Sequence, residues 1–409
     1  MRILQVSEDI PYPSMGGLAK HVLTLTKALI KAGHQVDILG GIQHPIEVAG
    51  DEGQFSGQFF GELHWHLAGW KERKVGMFLP PKRPWIARKM AQCIMAHVDN
   101  YDVIHYHGHY PNIAKYIPKH INFVQTRHDH GGDCLINARF RHGEICIELE
   151  PAECAGCIAS QPNALQRTVS SLAVRRYRQD VAESFLRHKT IFVSDMLKRN
   201  FSRVAGNKEW GTTIHNFVDL DKIRSMLATN PLPTKAANNT IKLFFAGNLD
   251  PYKGIELVLQ KLTSIMPEHM SLTIVGSSAN EPELRRQFES EKIIFYGWKP
   301  PQQVLQLAAN ADVILVPSIW EEPCATTIFE GLMLGKPTYA LERGGTPELK
   351  YYERYPGQLH LHQDIDSLVA ELINFKPEQN LYDPLDERGG VDHAIQLLLD
   401  IYQAPLPLS

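Results

Sequence analysis

The chain has 409 residues, of which 44% are apolar and 21% are charged. At about 100–200 residues per domain, this length predicts two or three cored domains. The formal net charge of −3 excludes the strongly basic field that nucleic-acid binding needs. We find no apolar run of about 18 residues, and Glu8 and Asp9 interrupt the start of the chain before a signal-peptide apolar region forms. The composition therefore predicts a soluble, cytoplasmic protein whose only membrane contact is peripheral, at the inner face.

The chain opens with a predicted β-α-β unit. A strand at Ile3–Val6 is followed by the glycine pair Gly16-Gly17, a helix with apolar residues on one face, and a second strand at Gln35–Leu39. Further strands are predicted at 102–106, 123–126, 191–194 and 213–215. Strands that alternate with helices are typical of a parallel sheet.

The same plan restarts after a connector rich in Asn, Pro and Thr at Asn230–Thr240. Leu243–Ala246 is a predicted strand, Gly247–Gly254 a loop, and Leu272–Val275 the next strand, with a helix between them and further strands at 313–317 and 337–340. Two Rossmann-like halves are the simplest arrangement of these elements. In such sheets ligands bind beyond the carboxyl ends of the strands.

Four of the six cysteines, Cys134, Cys146, Cys154 and Cys157, fall within 24 residues. Cys154 and Cys157 have the two-residue spacing of a zinc knuckle, and the other two could complete a closed, structural tetrahedral site. The alternatives are ordinary thiols without metal, or a redox pair.

The segment Pro317–Glu330 places two carboxylates, Glu322 and Glu330, around a predicted helix start near Ala325. The free N–H groups of a helix start suit a phosphate or a sugar hydroxyl. A carboxylate and a phosphate are both negative and repel each other, so the two glutamates cannot both be phosphate ligands. Their better role is to accept hydrogen bonds from the hydroxyls of a sugar and a ribose. The alternative is that Glu330 is only a helix surface residue.

The loop Gly247–Gly254 supplies a cation, Lys253, beside a helix start, and its glycines allow close approach of the backbone. This combination suits a diphosphate and requires no metal. Gly16-Gly17 is the corresponding loop of the first half. We expect the two to face each other across a cleft.

Together these segments resemble the retaining glycosyltransferases of the GT-B fold, specifically glycosyltransferase family 4, group 1, over nearly the whole chain. The motifs that carry the resemblance are 16–22, 102–107, 126–129, 214–219, 247–254, the Glu322/Glu330 pair and 344–348. Each is weak alone, but their order and spacing are specific. The resemblance implies an α/β fold with two Rossmann-like domains facing each other across a cleft.

The resemblance also implies a role for each matching residue. Glu330 would hold the nucleotide ribose, Glu322 the hydroxyls of the donor sugar, and Lys253 the departing diphosphate. His128 matches the family's histidine near the anomeric carbon, and His107 is the best candidate for contact with the acceptor. The remaining donor-site positions are Gly16, Gly17, Gly247, Asn248, Cys324, Ala325, Thr326 and Thr327.

The chain departs from the family pattern at Asn248, where the family usually has Arg. One of the two expected diphosphate cations is therefore missing, and Arg343 or Lys299 is a candidate substitute. The four-cysteine segment also resembles an insertion in a branch of the family that builds surface polysaccharides. Basic and aromatic residues at 70–85 form either a solvated face or a contact with anionic lipid or acceptor.

These observations predict an acceptor domain at residues 1–218 with the cysteine-rich insertion at about 131–160, a donor domain at 219–388, and a C-terminal helix at 389–409 that crosses back to the first domain. The predicted activity is retaining transfer of a sugar from a nucleotide-diphosphate-sugar to a hydroxyl of a glycan or lipid-linked saccharide. No cofactor is required for this reaction, and the one metal expected is the structural zinc. The alternatives are a non-catalytic subunit of the same fold and a nucleotide-sugar epimerase.

Overall fold

The computed structural model describes residues 1–11, 16–63, 84–157, 164–229, 240–377 and 386–406. The chain forms two compact units. The first comprises Met1–Arg139, Cys146–His215 and Ala394–Ser409, and the second comprises Phe140–Ile145 and Asn216–His393. The division after His215 lies three residues before the predicted boundary at residue 218. The chain rejoins the first unit at Ala394, within the last helix.

The first unit is built on a sheet of seven parallel strands. Its strands are β1 (Arg2–Ser7), β2 (Gln35–Gly41), β3 (Phe59–Leu63), β4 (Val103–His107), β5 (Phe123–Arg127), β8 (Lys189–Phe192) and β9 (Thr212–Thr213). Its helices are α1 (Gly17–Lys31), α2 (Pro84–Met95), α3 (Pro151–Gly156), α4 (Ala164–Arg187) and α5 (Asp195–Ala205), and α12 (Val391–Gln403) joins it from Ala394 onward.

The strand order in this sheet is β3-β2-β1-β4-β5-β8-β9. Every residue of β4 is buried, as expected for a parallel strand covered on both faces. Because the order reverses between β1 and β4, the segments that follow these two strands diverge and leave a crevice at their carboxyl ends.

The second unit contains a sheet of six parallel strands in the order β12-β11-β10-β13-β14-β15. These strands are β10 (Ile241–Ala246), β11 (Met270–Val275), β12 (Ile293–Phe295), β13 (Val313–Val316), β14 (Thr338–Leu341) and β15 (Leu359–His362). The helices are α6 (Leu220–Thr229), α7 (Ile255–Ile265), α8 (Glu281–Phe288), α9 (Pro301–Ala309), α10 (Thr326–Met333) and α11 (Ile365–Leu372), and a small antiparallel hairpin, β6 (Phe140–Arg141) and β7 (Glu144–Ile145), belongs to the same unit. The order corresponds to 3-2-1-4-5-6, that of a dinucleotide-binding Rossmann sheet, with its switch point between β10 and β13.

Several predictions about elements need correction. The strand predicted at 213–215 is confined to Thr212–Thr213. In the C-terminal helix the sequence predicts one apolar stripe, formed by Val391, Ala394, Leu397, Leu398 and Ile401. Leu397 is instead 42% exposed, whereas Ile395 and Tyr402 are buried. Most of the basic and aromatic segment at 70–85, and most of the connector at 230–240, lie outside the described residues.

Among the described helices, none combines the length and the apolar character needed to cross a membrane.

Candidate active site

In the second unit, the two loops at the switch point bring together a lysine and a glutamate that are 69 residues apart in the sequence. Lys253 ends the loop after β10, and Glu322 lies in the loop after β13. The Lys253 Nζ atom is 2.9 Å from both carboxylate oxygens of Glu322. The indole Nε1 of Trp320 donates to Glu322 Oε2 at 2.7 Å, and Lys253 Nζ lies 5.2 Å from the centre of the Trp320 ring.

This environment keeps Glu322 ionised. Its side chain is only 10% exposed, and burial alone acts to raise its pKa. The charge of Lys253 and the hydrogen bonds from Lys253, Trp320 and Ser318 outweigh burial, so the pKa of Glu322 lies below its ordinary value. The result is a fixed carboxylate that can accept hydrogen bonds, beside a cation that remains 21% exposed.

Two glycines are needed for the loops to approach each other. Gly254 has φ +73°, and a Cβ atom there would lie 2.0 Å from the carbonyl oxygen of Pro317. Gly344 has φ +59°, and its Cβ would lie 2.5 Å from the backbone nitrogen and oxygen of Glu322. The amide of Gly345 donates to the Glu322 carbonyl at 2.8 Å. The backbones around Lys253 and Glu322 are therefore in contact because no side chain separates them.

Helix α10 begins at Thr326, with Ala325 as its N-cap residue in extended conformation. The first-turn N–H groups of a helix lack intrahelical acceptors, so this terminus suits an anionic ligand. Cys324, just before it, is buried: its carbonyl accepts from Asn216 Nδ2 at 2.7 Å, and its Sγ from the Asn216 amide at 3.3 Å. Burial raises the pKa of the Cys324 thiol, which keeps it protonated.

The two remaining donor-site candidates on this side are Thr327 and Glu330. Thr327 Oγ1 lies 3.5 Å from the Ala246 carbonyl at the end of β10. Glu330 lies one turn further along the helix and is buried. It is therefore not the solvated surface residue of the alternative interpretation.

Asn248, which stands where the family usually has Arg, uses its side chain within its own loop. Its Nδ2 donates to Asp250 Oδ2 at 2.6 Å, and the Tyr252 hydroxyl donates to the same oxygen at 2.9 Å. Arg343 donates to the carbonyls of Glu342 and Gln363, and Lys299 lies over the ring of Tyr296, so both proposed substitutes have other neighbours. Gly247 follows β10 directly and packs against Gly276, whose Cβ would lie 1.8 Å from the Gly247 carbonyl oxygen.

In the first unit, a histidine cluster lies at the carboxyl ends of the strands. His107 ends β4 and His128 follows β5; the His107 Nδ1 atom is 3.1 Å from His128 Nε2. His107 Nε2 is 2.9 Å from the amide oxygen of Gln5. His21, on α1, packs edge-on against His128 with ring centres 4.6 Å apart. Burial, and then the neighbouring histidines and Arg127, hold the pKa values of His107 and His128 well below the ordinary range, so both rings are neutral.

The prediction that His107 contacts the acceptor needs correction. Its side chain has no exposed surface, and each ring nitrogen lies within hydrogen-bond distance of a protein atom. His128 is only partly buried and is the more accessible of the two.

The other two histidines of this region have different environments. His105 is buried, with Nδ1 2.6 Å from the Tyr402 hydroxyl and Nε2 2.8 Å from Thr126 Oγ1. His109 lies between two carboxylates, 2.5 Å from Asp129 and 3.2 Å from Asp9. Burial opposes its charge, but the two carboxylates outweigh burial and raise the pKa of His109 well above its usual range. His109 is therefore an imidazolium, and sequence reasoning gave no sign of this difference.

The glycine pair of the first unit lies at the start of α1. Gly16 is the N-cap residue, and Gly17 is the first residue of the helix; both are exposed. The four residues before them are outside the described part of the chain.

The structure does not bring the four clustered cysteines as close together as the predicted zinc site requires. A tetrahedral site with Zn–S bonds of about 2.3 Å places the sulfurs about 3.8 Å apart. Across the described residues, which include all four cysteines, the one group of three or more metal-ligand atoms within 4.8 Å of one another is His21, His107 and His128. Cys154 Sγ instead accepts from Arg178 Nη2 at 3.2 Å, and burial raises the pKa of both Cys134 and Cys154.

Two models of known protein families match this chain. The family model described as "Glycosyltransferase Family 4" matches residues 15–222, which is 208 of the 409 residues. The chain belongs to glycosyltransferase family 4. The model described as "Glycosyl transferases group 1" matches residues 240–375, which carry the Lys253–Glu322 pair. The chain is therefore a glycosyltransferase, as the motifs predicted.

Individual relatives agree with this family. An uncharacterized glycosyltransferase of Methanocaldococcus jannaschii is 22% identical over 370 residues, which cover 86% of this chain and 83% of the relative. The putative colanic acid biosynthesis glycosyltransferase WcaL of Escherichia coli is 24% identical over 161 residues, 37% of this chain and 39% of the relative. The solved structure of HepE from Anabaena, in complex with UDP and glucose, is similar with a TM-score of 0.62 and 16% identity, and the match covers 98% of this chain and 99% of that chain. The predicted GT-B fold with two Rossmann-like sheets is confirmed.

Sequence reasoning missed three features of the site: the indole of Trp320, the amide of Gln5 and the ring of His21. Trp320 stands two residues before Glu322, where its aromatic character suggests only packing. Gln5 is the polar residue within the apolar run Ile3–Val6, and a polar side chain in a strand predicted to be buried was the signal that could have drawn attention to it. His21 is one residue of an amphipathic helix, and its proximity to His128 arises only in the folded unit.

Proposed function

We propose that this protein is a retaining glycosyltransferase that moves a sugar from a nucleotide-diphosphate-sugar to a hydroxyl of a glycan or lipid-linked saccharide in cell-surface polysaccharide synthesis. The observation that carries the donor assignment is the Lys253–Glu322 pair at the switch point of the second sheet. It combines an accessible cation with a fixed carboxylate acceptor next to the start of a helix.

The donor would use the two members of this pair differently. A diphosphate attracts the Lys253 ammonium, which is the more exposed partner and has a flexible side chain. Glu322 then has carboxylate oxygens available for the sugar hydroxyls. Glu330 would accept from the ribose hydroxyls, and the first-turn N–H groups at Ala325–Thr327 would meet phosphate or sugar oxygens. These groups stabilise the leaving diphosphate without a metal ion.

Retention by front-face attack is supported by the environment of Asp129, the carboxylate next to His128. Its Oδ1 accepts from the amide of Gly131 at 2.7 Å and from Arg127 at 3.1 Å, and its Oδ2 is 2.5 Å from His109. A carboxylate with this many donors is a weak nucleophile because its lone pairs are already engaged. The leaving phosphate is then the better acceptor for the proton of the attacking hydroxyl.

The acceptor class rests on the names of two relatives. WcaL is named for colanic acid biosynthesis, and another relative, 23% identical over 176 residues, is an uncharacterized protein of the cps region of Klebsiella pneumoniae. Both names point to surface polysaccharides, as the cysteine segment did.

The test is a thermal-shift screen against nucleoside diphosphates and nucleotide-sugars in the presence of EDTA. A ligand at about 100 times its Kd stabilises the folded state by about 2.7 kcal/mol. We expect one nucleotide to raise the melting temperature of the wild type and of Glu291→Ala, an exposed control in the same unit, but not of Glu330→Ala. The absence of a shift with every nucleotide contradicts the donor assignment.

The activity itself is tested by release of nucleoside diphosphate and by the anomeric configuration of the product. A transferase releases the diphosphate in proportion to added acceptor, whereas an epimerase changes the sugar without release. Inversion at the anomeric carbon contradicts the retaining assignment. Nucleotide binding without transfer to any saccharide acceptor indicates the non-catalytic subunit.

A further inference from the structure

The histidine cluster of the first unit, His21, His107 and His128, has the composition of a three-ligand metal site. The three side chains come from α1, from the end of β4 and from the residue after β5, and one ring nitrogen from each lies within 4.8 Å of the other two. Three protein nitrogens around one ion, with a fourth position open, is the ligand set of an accessible zinc site.

The spacing of the nitrogens is close to what an ion needs. With Zn–N bonds of about 2.0–2.1 Å, tetrahedral ligands are about 3.3 Å apart. His107 Nδ1 and His128 Nε2 are 3.1 Å apart, so this pair already has the required separation. The His21 nitrogen lies within 4.8 Å of the other two, so each of these distances has to shorten by at most about 1.5 Å to reach the separation of such a site.

The hydrogen bond to Gln5 presents His107 in the tautomer that binds metal. An amide oxygen is only an acceptor, so His107 Nε2 carries the proton that it shares with Gln5 Oε1 at 2.9 Å. His107 Nδ1 is then the unprotonated nitrogen, and its lone pair faces His128. A metal-bound histidine is typically oriented in this way, by donating its other N–H to an oxygen of the protein.

The three rings differ in their exposure to solvent. His21 and His107 are buried, and His128 is partly exposed, so the cluster opens to solvent on the His128 side. The ligand set contains imidazole only, which suits Zn²⁺ or Cu²⁺ and not the oxygen-preferring Mg²⁺ or Ca²⁺. We infer that His21, His107 and His128 bind one Zn²⁺ ion, with water or a ligand oxygen in the fourth position.

Binding of this ion has a consequence for catalysis. Under the proposed function, His128 faces the donor sugar, and an ion held by its Nε2 withdraws the ring from that role. Zn²⁺ therefore inhibits a transfer reaction that itself needs no metal. The inhibition rests on the proposed function, whereas the binding of the ion does not.

The test uses Co²⁺ as a spectroscopic substitute for Zn²⁺ in the full-length protein after treatment with a chelator. We expect one Co²⁺ per chain, with visible absorption of a tetrahedral imidazole site, displaced by Zn²⁺. His21→Ala weakens the affinity by more than about tenfold, and His120→Ala, an exposed histidine of the same unit, leaves it unchanged. His128→Ala is the second variant, since its partly exposed side chain makes misfolding a smaller risk, and circular dichroism of each metal-free variant verifies the fold.

The cysteines provide the second control. The double variant Cys154→Ser/Cys157→Ser retains the Co²⁺ site if the histidines are the ligands. A thiolate-to-cobalt charge-transfer band that disappears in this double variant overturns the inference, as does stoichiometric binding that persists in both His21→Ala and His128→Ala. The absence of stoichiometric binding also overturns it and leaves the three rings as a hydrogen-bonded cluster. None of these results affects the nucleotide screen, which depends on Glu330 in the other unit.

Discussion

Replacement of Lys253 by Met separates the structural role of the Lys253–Glu322 pair from its role toward a ligand. Methionine keeps much of the length of the side chain but removes the ammonium that lies 2.9 Å from both oxygens of Glu322. Glu322 is then left with the Trp320 and Ser318 hydrogen bonds, and at 10% exposure it cannot regain full hydration. The expected result is a less stable second unit.

The magnitude follows from the geometry. Two unit charges at 2.9 Å attract each other by about 6 kcal/mol at an effective dielectric constant of about 20. The desolvation of both groups offsets part of this energy, and loss of one partner from a well-buried pair costs about 3–5 kcal/mol. Lys253 is 21% exposed, so solvent weakens the pair somewhat. We therefore expect Lys253→Met to lower the free energy of unfolding of the second unit by about 2–4 kcal/mol. Glu322→Gln should cost less, since the lysine that it leaves can reach water.

The assay is hydrogen exchange of the β10 and β13 amides, measured by mass spectrometry, because it reports the free energy of opening of this unit separately. In the double variant Lys253→Met/Glu322→Gln, the decrease in the free energy of opening should be about 2 kcal/mol smaller than the sum of the decreases in the two single variants. The double variant should still not bind nucleotide. Additive losses, or unchanged protection in Lys253→Met, would refute the assigned pairing. Recovery of nucleotide binding in the double variant would refute the ligand role of Lys253.

The same pair sets a pH dependence. Because the folded-state pKa of Glu322 is below its ordinary value of 4.5, its ionised form stabilises the fold at higher pH. This contribution is fully present above about 4.5 and is lost as the pH falls through the lower folded-state value. The protection of β10 in the wild type should therefore decline on acidification in this range more steeply than in Glu322→Gln. Equal slopes would contradict the assignment.

Two further substitutions test the loops and the C-terminal helix. Gly254→Ala places a Cβ atom 2.0 Å from the Pro317 carbonyl oxygen, so it should abolish the nucleotide-induced thermal shift. The control is Gly357→Ala, where φ is +79° and the space around the Cβ is open. It should lower the free energy of unfolding by only about 1–2 kcal/mol and keep the thermal shift. Tyr402→Phe removes the hydroxyl 2.6 Å from His105 Nδ1 in a buried site and should lower the exchange protection of β4 by about 1–3 kcal/mol. A retained shift in Gly254→Ala, or unchanged protection of β4 in Tyr402→Phe, would count against the corresponding contact.

The positions of most strands and of the candidate donor-site loops could be predicted from the sequence because they depend on local features, whereas the short strands β3, β12 and β15 were not predicted. Apolar runs such as Ile241–Ala246 form buried parallel strands whatever their neighbours, and glycines such as Gly254 mark backbone conformations that few other residues adopt. Since parallel strands end at one edge of their sheet, the residues after β10 and β13 could be placed near each other without a structure.

The contacts between these residues were decided only by the tertiary structure. The pairing of Lys253 with Glu322 and the donation from Trp320 depend on loop conformations that Gly344 imposes through backbone contact, and no local pattern encodes that contact. The same holds for the cysteines: the spacing of Cys154 and Cys157 suits zinc, but a two-residue spacing constrains only one pair of sulfurs and says nothing of the distance to the others.

The histidines show the difference most directly. From the sequence, His105, His107 and His109 are alternate residues of one segment, and only His107 is singled out, as the candidate for contact with the acceptor. In the fold, His105 contacts Tyr402 of the last helix and His107 contacts Gln5 of the first strand, so both are neutral and buried, whereas His109 is held between carboxylates and charged. The sequence by itself determined which residue types lie at the carboxyl edge of each sheet. Their protonation and their partners depend on burial and on charges brought from distant parts of the chain, and these exist only in the folded molecule.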